Sequence, residues 1–248
     1  MGLDGRGRLT QLTRPGERVR FDLGNHTVES VITGIDPRKH TPDLQPAMVF
    51  SESGHVELKD GSILQSAFGN LDGGQANSSS SVVVFRAEPP FLDWRLHGVV
   101  ARGSPYSATD PDPGSPTRCP VPCENDIVLL PDGVTVMAVM RCVCSAKSCT
   151  RHGISARSYY RAVSSDGGGS WTNYSEMTGL GTVAPRLLLL GKSGPLLLVG
   201  GREQTEGPGG APQHNHDIVL WVSHDGWGRE WEEKYSISAA HDAAVPRR

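Results

Sequence analysis

The chain has 248 residues, a formal net charge of −3, 21% charged residues, 30 glycines and 18 prolines. That length supports a substantial core, and so many turn formers point to a globular chain of short elements. There is no basic field for nucleic acid, and no apolar run approaches the roughly 18 to 20 residues of a membrane helix, so neither partner is expected.

Residues 1–48 begin MGLDGRGR, which lacks the apolar stretch of a signal peptide, and Arg6 stands where a myristoylation motif needs Ser or Thr. The stretch from Arg8 to Met48 is expected to supply strands of a unit preceding the three that follow. From residue 49 to 241 one pattern recurs: an apolar run, a turn carrying Gly, a second run, a third run, and a corner ending in Trp. In the first unit GHVEL, Asp60-Gly61, SILQSAF and SVVVF lead to FRAEPPFLDW, ending at Trp94. In the second, DIVLL, Asp132-Gly133, VTVMAVM and YYRAV lead to SSDGGGSW, from Ser164 to Trp171. In the third, RLLLL, Lys192-Ser193-Gly194, PLLLV and IVLWV lead to SHDGWGREW, from Ser223 to Trp231. Residues 242–248 form a tail.

The second corner fills every place of Ser-x-Asp-x-Gly-x-(Ser/Thr)-Trp, an Asp box. Asp166 can accept backbone N–H bonds across the turn, Gly168 can take a positive φ, and Trp171 plugs the space beneath. The third copy keeps Ser223, Asp225 and Trp231 with one extra residue, and the first has lost the Asp and Gly places. Short Val- and Ile-rich runs, flanked by Gly and repeated at more than the usual blade length, predict an all-β chain of four-stranded β-propeller blades. Buried helices are the rival reading of runs such as LLLL.

Five cysteines fall between Cys119 and Cys149, and sequons begin at Asn25, Asn77 and Asn173, which together lean towards an oxidising, secreted or lumenal setting. Cys142, Cys144, Cys149 and His152 include zinc-ligand types without two spaced pairs, and disulfides or plain thiols are the readings preferred over a metal site. His214, His216 and Asp217 read as loop residues rather than ligands. No cofactor is implied.

Strand direction divides the candidate site from the scaffold. In an antiparallel meander, the start of the first strand and the end of the second share one rim, and the corner between strands three and four lies at the other. Glu124 precedes the first strand of its unit. Arg141, Arg202 and Phe68 each end the second strand of theirs, so all four are expected at one rim, with Asp166 and Asp225 at the other as structural residues.

Over Ser53 to His241, these features resemble the sialidases, six-bladed Asp-box propellers that cleave terminal sialic acids from glycans. The likeness rests on SGHVELKDGSILQSAF, on ENDIVLLPDGVTVMAVMR (Glu124 to Arg141) with the intact box, and on PLLLVGGR ending at Arg202. Sialic acid carries an ionised carboxylate, which guanidinium groups bind bidentately and which repels a carboxylate nucleophile; sialidases use a Tyr activated by a Glu. The resemblance implies that Glu124 is the Tyr-activating Glu and that Arg141 and Arg202 are two members of an arginine triad. It implies that Phe68 faces the sugar, although a core Phe fits equally well. His55 and His241 echo family positions without a catalytic role. The first arginine, the acid/base Asp and the Tyr match no residue here; Asp72 lies in the wrong blade and Tyr235 comes too early. The expectation is therefore an exo-sialidase represented by three to four blades, acting on sialylated glycans or related nonulosonic acids. The alternative is a non-catalytic Asp-box propeller that binds glycans or a protein.

Overall fold

The computed structural model of the chain describes residues 18–22, 27–33, 49–50, 54–70, 80–89, 93–101, 122–142, 158–181, 183–201, 204–206, 212–214 and 218–236. Among them there are strands and turns and no helix. In chain order the strands are β1 (Arg18–Asp22), β2 (Thr27–Thr33), β3 (Val49–Phe50), β4 (His55–Glu57), β5 (Ile63–Asn70), β6 (Ser80–Ala87), β7 (Asp93–Ala101), β8 (Pro122–Leu129), β9 (Val136–Cys142), β10 (Tyr159–Ser164), β11 (Thr172–Met177), β12 (Val183–Leu189), β13 (Leu196–Gly201), β14 (Gln204–Glu206), β15 (Pro212–His214), β16 (Ile218–Ser223) and β17 (Glu233–Ser236).

The runs that invited a helical reading are strands, and their burial follows the two-residue period. Leu196 and Leu198 are fully buried on β13, while Leu197 and Val199 on the other face are only half-buried. Each repeat closes an antiparallel meander: the second sheet runs β11-β10-β9-β8 and the third β12-β13-β16-β17. β14 and β15 pair as a small hairpin between the second and third strands of that third blade. The first sheet contains the meander β5-β6-β7 with β3 and β4 both on β5, and it is larger than four strands. β2 lies parallel to β7, pairing Ile32 with Trp94, and β1 pairs with β2. Two strands of the N-terminal segment thus sit in the first sheet rather than in a sheet of their own. The physical gain is that β7 would otherwise present an unpaired outer edge.

The sheets stack face to face through two cores. Leu64, Val82 and Val84 of the first sheet meet Ile127, Val136, Ala138 and Met140 of the second, with Phe68, Trp171 and Tyr174 packed at the margins. The opposite face of the second sheet, with Val128, Met137, Val139 and Tyr159, meets Leu196, Leu198, Val219 and Trp221 of the third. Full burial of each such side chain is worth about 1.5–3 kcal/mol, so the hold of blade on blade is chiefly apolar. Trp94 pairs with Ala87 at the end of β6, Trp171 immediately precedes β11, and Trp231 lies just ahead of β17. The three corners therefore occupy corresponding places in successive blades.

Candidate functional site

On the second blade, Cys123 and Tyr159 both pair with Arg141 at one rim, while Leu129 and Ser164 both pair with Val136 at the other. The first rim holds a carboxylate and a guanidinium. Glu124 is an extra residue in β8: the register jumps from Cys123, opposite Arg141, to Asn125, opposite Met140. Such a bulge swings one side chain out of the strand's alternation, and here the φ of Glu124 is 20°. Arg141 Nη1 donates to Glu124 Oε2 at 3.1 Å, with the two side chains 20% and 24% exposed. A half-buried pair of this kind contributes on the order of 1 kcal/mol, so it orients the groups more than it stabilises the fold. The same Oε2 accepts the backbone N–H of Ala184, from the first strand of the next blade, at 2.9 Å.

Two residues further along β8, Asp126 joins three blades. Its Oδ1 accepts the amides of Gly54 and Ile127, both at 3.0 Å, and its Oδ2 accepts that of Leu187 at 2.8 Å. β8 and β12 are each the terminal strand of their sheet, so Ile127 and Leu187 offer edge amides that neighbouring strands leave unpaired. Burial pushes the Asp126 carboxyl above its usual range. The Leu187 amide, the charge of Arg186 and the amides of Ile127 and Gly54 oppose that shift without cancelling it. In the sequence DIVLL reads as a strand, with no role of its own for Asp126. The available signal was a lone acid entering an apolar run, a position that is buried only when it is paired.

The opposite rim holds the Ser164–Trp171 and Ser223–Trp231 corners. Ser164 Oγ donates to Asp166 Oδ1 and accepts the Gly168 amide, both at 2.7 Å. Ser170 donates through its hydroxyl at 2.6 Å and through its amide at 2.9 Å, and Trp171 Nε1 donates to the Gly168 carbonyl. Hydrogen bonds from the Ser170 hydroxyl and amide and from Ser164 hold Asp166 well below the usual carboxylate range. In the third blade, burial acts against ionisation of Asp225, but donors from Ser223, Trp227 and Gly228 and the charge of Arg229 outweigh it and lower its pKa. Both aspartates are consumed by their own turns.

Of the expected site residues, Glu124 and Arg141 are in contact, whereas Phe68, paired with Val82 and Phe50, packs into the first inter-blade core. Arg202, Asp72 and His241 lie outside the described residues, as do Cys144, Cys149, His152, His216 and Asp217. Cys142 is disulfide-bonded. Among the described residues, no three His, Cys, Asp or Glu side chains are placed to share a metal ion. Tyr235 lies on β17, the outermost strand of the third blade, and is exposed.

No protein-family model matches the chain, and no curated protein matches it either. Solved structures do. A Hadza microbial sialidase superposes with a TM-score of 0.53 at 12% identity, covering 91% of this chain and 39% of that one. A protein of unknown function from Dyadobacter fermentans gives a TM-score of 0.51 at 17% identity, over 77% and 42%. The GH93 α-L-arabinofuranosidase of Fusarium graminearum, in complex with arabinobiose, gives a TM-score of 0.50 at 13% identity, over 88% and 57%. The fold is that of the β-propeller glycosidases. The chain spans from about two-fifths to somewhat over half the length of these structures.

Proposed function

We propose that this chain carries part of the glycan site of a sialidase-type glycoside hydrolase, acting on terminal sialic acids or related nonulosonic acids. The observation that carries this reading is the Glu124–Arg141 pair, half-buried at the rim opposite both Asp boxes. Arg141 is the carboxylate anchor, and a planar guanidinium suits an anionic sugar better than a neutral one. Glu124 shares that anchor and is the acid/base partner of a nucleophile. Arg202, which lies outside the described residues, is proposed as a further arginine of that anchor.

The second reading, a glycan-binding propeller without turnover, is favoured by the position of Tyr235, which sits on an outermost strand while Glu124 is on an innermost one. Titration of the purified chain with a 2,3-dehydro sialic acid analogue, beside assays on fluorogenic sialoside and α-L-arabinofuranoside, separates these readings. Analogue binding supports the anionic-sugar site. Because the first reading places only part of the site on this chain, sialoside hydrolysis rejects the second reading, and arabinofuranoside hydrolysis without analogue binding rejects the anionic sugar altogether.

A further inference from the structure

Two non-glycine residues among those described have positive φ: Glu124 at 20° and Ala184 at 51°. They lie 60 positions apart, on the first strands of different blades, and they are joined by one hydrogen bond. Each is at a break in register: β8 skips between Cys123 and Asn125, and β12 skips between Val183 and Arg186. Ala184 also precedes Pro185, which disfavours helical backbone at the residue before it. Strained backbone of this kind costs of the order of 1–3 kcal/mol and persists only where surrounding structure fixes it. Here both costs fall on the same carboxylate oxygen.

We propose that the Ala184–Pro185 bulge is a positioning device for Glu124. It frees the Ala184 amide from its own ladder and aims it at Oε2, which Arg141 already holds, so that among the described residues Oε1 is the oxygen left to a ligand hydroxyl or a nucleophile's proton. This rests on the sialidase-type reading of the site. A carboxylate at an open rim otherwise turns about its side-chain torsions, and proton transfer needs it within hydrogen-bond reach of one atom. The Ala184 amide removes that freedom with a donor that belongs to a different blade, so the position of Glu124 depends on blade packing.

The test is a double-mutant cycle on the full chain, with affinity for the 2,3-dehydro sialic acid analogue measured by calorimetry. Ala184→Pro, which lacks the amide hydrogen and fixes φ near about −65° where Ala184 has 51°, removes both the donor and the left-handed turn and is expected to weaken binding about tenfold in the native background and not at all in the Glu124→Ala background. Ala184→Gly keeps the amide and should bind within about twofold of the native chain. Equal weakening by Ala184→Pro in both backgrounds would mean a general structural effect and overturn the proposal. Amide exchange supplies a second readout that needs neither ligand nor the proline variant: in Glu124→Ala, exchange at Ala184 should accelerate about tenfold while that at Leu187 holds. Unchanged exchange at Ala184 would overturn the pin itself. Unchanged analogue affinity in Glu124→Ala, with faster Ala184 exchange, would instead overturn the reading of the site.

Discussion

Gly98 of β7 lies so close to the Gly168 carbonyl, in the Ser164–Trp171 corner of the second blade, that a β-carbon on Gly98 would overlap that oxygen. β7 is thus the seat for the corner of the second blade, and His97 beside it contacts the Gly167 carbonyl through Nε2 at 3.2 Å. The corner of the third blade also touches the blade before it, since Arg161 of β10 donates to the Gly228 carbonyl. Gly98→Ala meets backbone, which cannot move aside as a flexible side chain could. A loss of at least about 2 kcal/mol is expected, read as a fall of roughly 4–8 °C in melting temperature by calorimetry, with the Glu124–Arg141 contact intact.

Asp166 should contribute stability in one direction of pH only. Its folded pKa lies below the ordinary 3.8, so its contribution is present above that value and is lost as pH falls through the folded pKa. Asp166→Asn should therefore melt below the native chain at pH 6, with the gap narrowing below pH 3.8; the side chain is exposed, so solvent screening keeps the gap small. A gap that widened in acid would contradict the hydrogen-bond assignment.

Asp126 should behave oppositely. Its folded pKa is raised, so its contribution is full below the unfolded value of 3.8 and diminishes as pH rises through the folded one. Asp126→Ala strips the acceptor from three amides, and each amide left unpaired in the interior costs about 1–3 kcal/mol. Cooperative unfolding at much lower denaturant, together with faster amide exchange at Leu187, is the expected result. Retained stability would mean that water or another group takes over the three donors.

Arg141→Lys keeps the charge and loses the fork. Affinity for the sialic acid analogue should fall about tenfold or more while melting temperature changes little, because the pair adds only on the order of 1 kcal/mol to the fold. Equal affinity in the two proteins would remove Arg141 from the anchor.

The outward face of the third sheet leaves Leu188, Ile218 and Tyr235 exposed, whereas Val83 and Phe85 of the first sheet are fully buried. An apolar patch of this kind promotes association. Replacing Leu188 and Ile218 together by Thr should raise the concentration at which the chain stays monodisperse in light scattering, and no change would discount that face as the source of association.

The blades were legible in the chain because their signals are local. Alternating apolar residues, glycine turns and the Ser-x-Asp-x-Gly-x-(Ser/Thr)-Trp corner are set by neighbours within a few positions, and antiparallel connectivity then assigns Glu124 and Arg141 to one rim and Asp166 to the other. The contacts that complete the rim are of another kind. The Ala184 amide reaches Glu124 across 60 positions, the Leu187 amide reaches Asp126 across 61, and Gly54 reaches Asp126 across 72. Each depends on how one blade leans on the next. The parallel pairing of β2 with β7 is likewise a choice of edge, which composition does not express. A left-handed Ala before a Pro has no sequence signature at all, since local preference opposes it. Only the packing of two bulged strands against each other, with a carboxylate between them to take the freed amide, makes that backbone the lowest-energy one.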